Sequence, residues 1–176
     1  MTTASDDNNP LKGFTSVLGQ KETPPMPDPQ AMVEASLKIL KQSEAGEKLF
    51  QFAVREKLIV KIIKTRHETT YIPETRELFI GVTSNSPTLP TRFVLMLAGA
   101  IREAEQDFEG LKRPSLNQPL NDIIRLSTAK EADKVAYMCL IAYELEQLPN
   151  LNKMKFLDEL RAMGYGETVD IFLKNL

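Results

Sequence analysis

Apolar residues along this chain switch between two spacings, and the switch points divide it into elements. From Gln30, the residues Met32, Val33, Leu37, Ile39 and Leu40 recur at helical intervals, with Lys38 and Lys41 on the wet side. Pro29 stands where a helix N-terminus accommodates proline. A break is expected at Gly46, and Leu49, Phe50, Phe52, Ala53 and Val54 then predict a second short helix. Leu58 to Lys64 is rich in β-branched residues and too short for a good helix, so it reads as a strand. Thr69–Ile72 and Glu77–Val82 bracket the turn residues Pro73-Glu74-Thr75-Arg76, which together predict a small antiparallel meander.

Helical spacing returns after the connection Thr83 to Pro90. Phe93, Leu97, Ile101, Ala104 and Phe108 form one stripe of a helix over Thr91 to Phe108, closed by Gly110 and Pro114. Asn121 to Leu126 predicts a separate helical turn. Thr128 with Glu131 has capping-box spacing, which opens a further helix from about Ala129 to Gln147, stopped by Pro149. The middle of that helix, Val135 to Tyr143, is apolar all round and is expected to be the central buried one. Two amphipathic segments, Lys153 to Met163 and Thr168 to Leu176, are split by Gly164-Tyr165-Gly166. The fold class is therefore α+β: a mostly helical domain over 30–176 with a small antiparallel β-sheet.

Residues 1–29 differ in kind. They hold five of the eleven prolines among Ser, Thr, Asp and Asn, and read as a disordered Pro-rich tail; Pro24-Pro25-Met26-Pro27 also suits a polyproline II ligand for a partner's groove. Composition then narrows the function. A chain of 176 residues, 42% apolar, makes one domain with a core large enough to need no staples. One cysteine forms no internal disulfide, and one histidine cannot supply the imidazoles of most catalytic zinc sites. With 22 basic and 24 acidic residues the net charge is −2, which gives no strong positive field for nucleic acid. The start carries no basic segment followed by an apolar one, and the longest apolar runs, Phe93–Ile101 and Val135–Tyr143, fall far short of the ~20 residues that span a bilayer. A cytoplasmic protein without membrane contact is expected.

Candidate chemistry is sparse. His67-Glu68-Thr69-Thr70-Tyr71 approaches the HExxH zinc signature, but tyrosine stands where the second imidazole belongs and the surroundings read as a hairpin. Cys139 lies in the most apolar stretch, which makes it a packing residue rather than a thiolate partner for His67. No GxSxG, Walker or GxGxxG sequence is present, and no cofactor is expected. What remains is acidic: Glu103, Glu105, Asp107 and Glu109 close one long helix, and Glu131 and Asp133 open the next. Antiparallel packing of the two helices would bring carboxylates together at one end, where oxygen ligands suit Mg²⁺ or Ca²⁺; the plain alternative is a solvated acidic face.

The order of these elements resembles a bacterial family of small, zincin-like, metallopeptidase-like domains of unknown function. The family's strand pair reads roughly Y-x-P-x-T-x-x-I-x-I, matched here by Tyr71-Ile72-Pro73-Glu74-Thr75-Arg76-Glu77-Leu78-Phe79-Ile80. Its active-site helix, of the form LAHELRHAWQ, is matched by Leu97-Ala98-Gly99-Ala100-Ile101-Arg102-Glu103-Ala104-Glu105-Gln106, and its following EADAFA by Glu131-Ala132-Asp133-Lys134-Val135-Ala136. The likeness covers about residues 31–147. It implies that the two metal-binding histidines have become Gly99 and Glu103, and the catalytic glutamate Ala100. The framework residues Arg102, Ala104 and Gln106 remain, as do Glu131 and Asp133, where the resemblance places a further acidic ligand or its support. All groups that would hold zinc and activate its water are replaced.

The resemblance thus implies a catalytically inactive metallopeptidase-like domain that binds another protein, with Gly99 and Ala100 opening a shallow concavity beside Glu103. Two other expectations stand beside it. One is a hydrolase built on the carboxylates Glu103, Glu131 and Asp133, with or without a hard divalent cation. The other is a helical adaptor working through its Pro-rich tail and C-terminal helices.

Overall fold

The computed structural model describes residues 28–65, 69–82, 90–111, 114 and 117–176. The expectations for residues 1–27, for His67 and for the connection 83–89 lie outside them. Six helices and three strands are present among the described residues, in the order α1 (Pro29–Leu40), α2 (Glu44–Arg55), β1 (Ile59–Lys64), β2 (Thr69–Ile72), β3 (Glu77–Val82), α3 (Pro90–Phe108), α4 (Leu120–Glu146), α5 (Phe156–Leu160) and α6 (Gly166–Lys174). The chain is mostly helical with a small three-stranded mixed sheet.

Local chemistry explains the helix boundaries. Asp28 caps α1 by accepting from the Gln30 amide at 3.2 Å, with Pro29 as the first helical residue. The break between α1 and α2 falls at Ser43, not at Gly46 as the pattern suggested. The Ser43 hydroxyl accepts from the Gly46 amide at 3.0 Å and donates to the Leu40 carbonyl at 3.1 Å. Gly46 lies inside α2 for a steric reason: a Cβ there would stand 2.1 Å from the Leu40 carbonyl oxygen. The far end of α4 supports two other helix starts. Glu144 accepts from the Ala45 amide at 2.9 Å and Glu146 from the Leu157 amide at 2.8 Å, each carboxylate placed where orphan amides and the helix dipole favour it.

The sheet corrects the expected antiparallel meander. The β2–β3 hairpin is antiparallel, Thr69 opposite Ile80 and Ile72 opposite Glu77, but β1 joins the other side of β3 in parallel, Ile59 beside Glu77 and Lys64 beside Val82, giving the order β1-β3-β2. β3 takes the centre because it is the most apolar strand, with Leu78, Ile80 and Val82 buried against the helices. β1 carries Lys61 and Lys64 and takes an edge.

α3 is the central helix, a place the sequence pattern gave to α4. Leu95, Leu97, Ala98 and Ala100 are all fully buried, because α1, α2, α4, α5 and the sheet surround α3. α4 is one continuous helix of 27 residues, not a short turn and a separate helix. No breaker stands between Leu120 and Glu146, so the Thr128/Glu131 pair caps nothing and both residues lie mid-helix. The C-terminal expectation of one helix over Lys153–Met163 resolves into α5 and a wide turn, Arg161–Tyr165, whose Gly164 at φ 97° makes the kink before α6. Cys139 is fully buried, as its apolar surroundings predict, and burial pushes its thiol up to about 11.

Candidate functional site

α3 and α4 pack antiparallel: Gly99 lies by Lys134 and Met138, Arg102 by Asp133, and Gln106 by Lys130. Along one side of this pair runs a groove. Its inner part is a cavity of about 350 Å³ where Gly99 meets three methionines, Met96, Met138 and Met163, with Thr69 of β2, Lys134 and Tyr165 around them. Its outer part, about 280 Å³, shares Thr69 and Lys134 and adds the polar residues Glu103, Gln106, Lys130 and Glu131. The spacing on α3 explains the lining: Gly99, Glu103 and Gln106 follow one another at four and three residues and share a face.

Beside the groove lies an ion-paired network centred on Arg102. Its guanidinium grips both oxygens of Asp133, at 2.7 and 3.1 Å, and donates to Glu105 at 2.7 Å. It also lies over the Tyr137 ring, 4.9 Å from the centroid. The Gln106 amide, only 1% exposed, completes the network by donating to Asp133 at 2.7 Å and to the Lys130 carbonyl at 2.9 Å. The hydrogen bond from Arg102 holds the Asp133 carboxyl below its usual range against the opposing effect of burial, and Gln106 adds to it. For Arg102 itself, burial disfavours the charge, but the hydrogen bonds to Asp133 and Glu105 prevail and raise it above the ordinary arginine value.

A second pairing defines the groove wall. Glu131 accepts from Lys134 at 2.5 Å and from the Tyr165 hydroxyl at 3.2 Å. Burial raises the Tyr165 hydroxyl, and the Glu131 charge raises it further. These contacts tie α4 to the turn before α6 and fix the edge of the methionine cavity.

Of the residues singled out from the sequence, Gly99, Glu103, Gln106 and Glu131 line the groove. Ala100 does not: it is fully buried in the core, so of the two small residues only Gly99 lines the cavity. Arg102 and Asp133 bond each other to one side of it, so the expected convergence of Glu103, Glu131 and Asp133 reduces to Glu103 and Glu131. Among the described residues, no three His, Cys, Asp or Glu side chains are grouped so as to hold a metal ion. The sequence reading missed Lys130, Lys134, Thr69, Tyr165 and the methionines. Lys134 was discoverable, because it stands one turn before Met138 on the face that Glu131 begins; the meeting of Met96, Met138 and Met163 from three elements leaves no local signal.

No family model matches the chain, and no curated protein or solved structure matches it either.

Proposed function

We propose that this protein is a catalytically inactive, metallopeptidase-like domain that works as a protein-binding module, holding a segment of a partner in the α3–α4 groove. The observation that carries the reading is the make-up of the groove at Gly99. By the resemblance, this helix face is where two imidazoles would stand, at Gly99 and Glu103; at Gly99 it holds instead a small residue beside a methionine-lined cavity. Flexible, polarisable methionine side chains adapt to apolar groups of varied shape, which suits a binding surface. The charges beside the cavity support the same reading. Asp133 is bonded to Arg102 and Glu131 to Lys134, so these carboxylates stabilise the walls of the site. The zincin-like arrangement belongs to this proposal: a helix carrying the altered motif lies against a small sheet whose edge strand, β2, supplies Thr69 to the groove.

Peptide-library selection on the full chain, counter-screened with Gly99→Leu, tests the proposal. A leucine side chain starts 2.9 Å from the Met138 sulfur and projects into the cavity, so selected peptides should bind the variant at least tenfold more weakly while its melting transition is retained. Equal binding to both proteins overturns the assignment of the groove. One tightly held zinc per chain after metal-free reconstitution overturns the absence of catalysis.

A further inference from the structure

The sheet has a second edge, on the side away from the groove. β1 pairs with β3 on one side, and among the described residues no strand pairs with the other. The Ile59 amide donates to the Arg76 carbonyl and the Thr65 amide to the Val82 carbonyl. Backbone groups alternate along a strand, so those of odd-numbered residues face β3 and those of Val60, Ile62 and Lys64 face outward. Three amides and three carbonyls therefore line the free edge, the requirement for adding an extended chain.

The side chains around this edge define what would fit. Val60 and Ile62 are only half-buried against the core, and Ile59 and Ile63 on the opposite face are 50% and 39% exposed. A strand laid alongside would cover apolar surface on both faces. The charge is one-sided: from 55 to 64 the chain carries Arg55, Lys57, Lys61 and Lys64 against the single acid Glu56, in a protein of net charge −2. Arg55 pairs with Glu56 and Lys61 with Glu77. Lys57 and Lys64, one near each end of the strand, are exposed, and no carboxylate among the described residues makes an ion pair with them. Pairing of β1 with a second copy of itself would bring these like charges together. A phosphodiester backbone offers neither amide donors nor apolar side chains.

We infer that β1 is a docking edge for an extended acidic segment of a partner protein, apolar over its central residues and carrying Asp or Glu at both ends. Its backbone bonds to Val60, Ile62 and Lys64, and its acids meet Lys57 and Lys64. This surface is separate from the groove, and neither reading depends on the other.

The test uses fluorescence anisotropy with the full chain at ~0.15 M salt. The probe is a blocked, labelled eight-residue peptide with four central valines flanked at each end by two glutamates. Two controls accompany it, one with lysine for glutamate and one N-methylated at alternate residues, which keeps the charge but removes one edge of amides. The expected result is that both controls bind at least tenfold more weakly, and that the probe binds Ile62→Pro and Lys57→Glu/Lys64→Glu at least tenfold more weakly than the parent. Proline at Ile62 removes an outward amide without touching the β3 ladder, a tolerated change at an edge. Should that variant fail to fold by circular dichroism, the N-methylated peptide and the charge reversal decide the question alone. Undiminished binding of either control overturns the proposal. Absence of probe binding also overturns it, leaving the lysines as guards against edge-to-edge association. Binding of a single-stranded oligonucleotide as tight as that of the probe, and unaffected by Ile62→Pro, overturns it in favour of a plain anion surface.

Discussion

Replacing Arg102 with methionine keeps most of the side-chain volume and removes the cation shared by Asp133, Glu105 and, at 3.5 Å, the exposed Glu109. The loss follows from the contacts. Glu105 is the more enclosed partner and loses a 2.7 Å charged hydrogen bond, worth about 1.5–3 kcal/mol where the acceptor is left poorly solvated. Asp133 loses two bonds but keeps the Gln106 amide, and at 41% exposure it regains water, so its share is about 0.5–1 kcal/mol. The stacking on Tyr137 adds about 0.5–1 kcal/mol. Together these give a destabilisation of about 2.5–5 kcal/mol at pH 7, against the 5–15 kcal/mol typical of a domain, so the variant should fold. Urea unfolding with a slope of about 2 kcal/mol/M places its midpoint about 1.2–2.5 M lower. The pH dependence has a definite sign. The Asp133 carboxyl is held below its ordinary value in the folded state, so the pairing contributes stability that is present above the unfolded value and is lost as pH falls through the folded one. The difference between parent and variant should therefore narrow from pH 7 to pH 3. A difference under ~0.5 kcal/mol at pH 7, or one that does not change down to pH 3, refutes the account of Arg102 as the pin between α3 and α4.

Two further predictions concern packing. Alanine at Gly46 places a Cβ against the Leu40 carbonyl and the Ser43 hydroxyl and disturbs the cap of α2, so it should cost about 2–4 kcal/mol in urea unfolding, whereas alanine at Gly99 meets only the movable Met138 sulfur and gains helix propensity, leaving stability within ~1 kcal/mol of the parent; equal effects at the two sites would contradict the steric reading. Cys139, fully buried and with its thiol pushed up to about 11, should react with a disulfide reagent at pH 8 more than ~100-fold slower than a free thiol, with the rate rising as urea opens the fold; a free-thiol rate in the native protein would place it at the surface.

The sequence was most legible where one force decides. The α3 stripe Phe93, Leu97, Ile101 and Ala104 is buried as its period requires, whereas Phe108 at its end is 43% exposed, and the Pro73–Arg76 turn makes its hairpin. Strand order was not legible, because the partner of β1 depends on competition between strands, and only the greater burial of β3 settles it. The unity of α4 was hidden by a capping-box spacing that is equally compatible with the middle of a helix. At the groove, Gly99 and Glu103, singled out by the resemblance, stand four residues apart on α3 and so share a face. Asp133 was misplaced because two positions along a helix turn a side chain by roughly 200°, so Glu131 and Asp133 point to different neighbours.

The unbroken length of α4 gives the groove two mechanical characters. Val135, Met138 and Cys139 lock the inner half of the helix into the core, whereas between Leu120 and Thr128 only Ile123 and Leu126 are even partly covered. Lys130 and Glu131 stand at the transition. The methionine cavity therefore has a floor that opens only when the whole domain does, and an outer rim belonging to the part of the helix with the least to hold it. A guest would meet a compliant mouth before a rigid interior, so recognition at the entrance can be forgiving while selection by shape is left to the depth around Gly99.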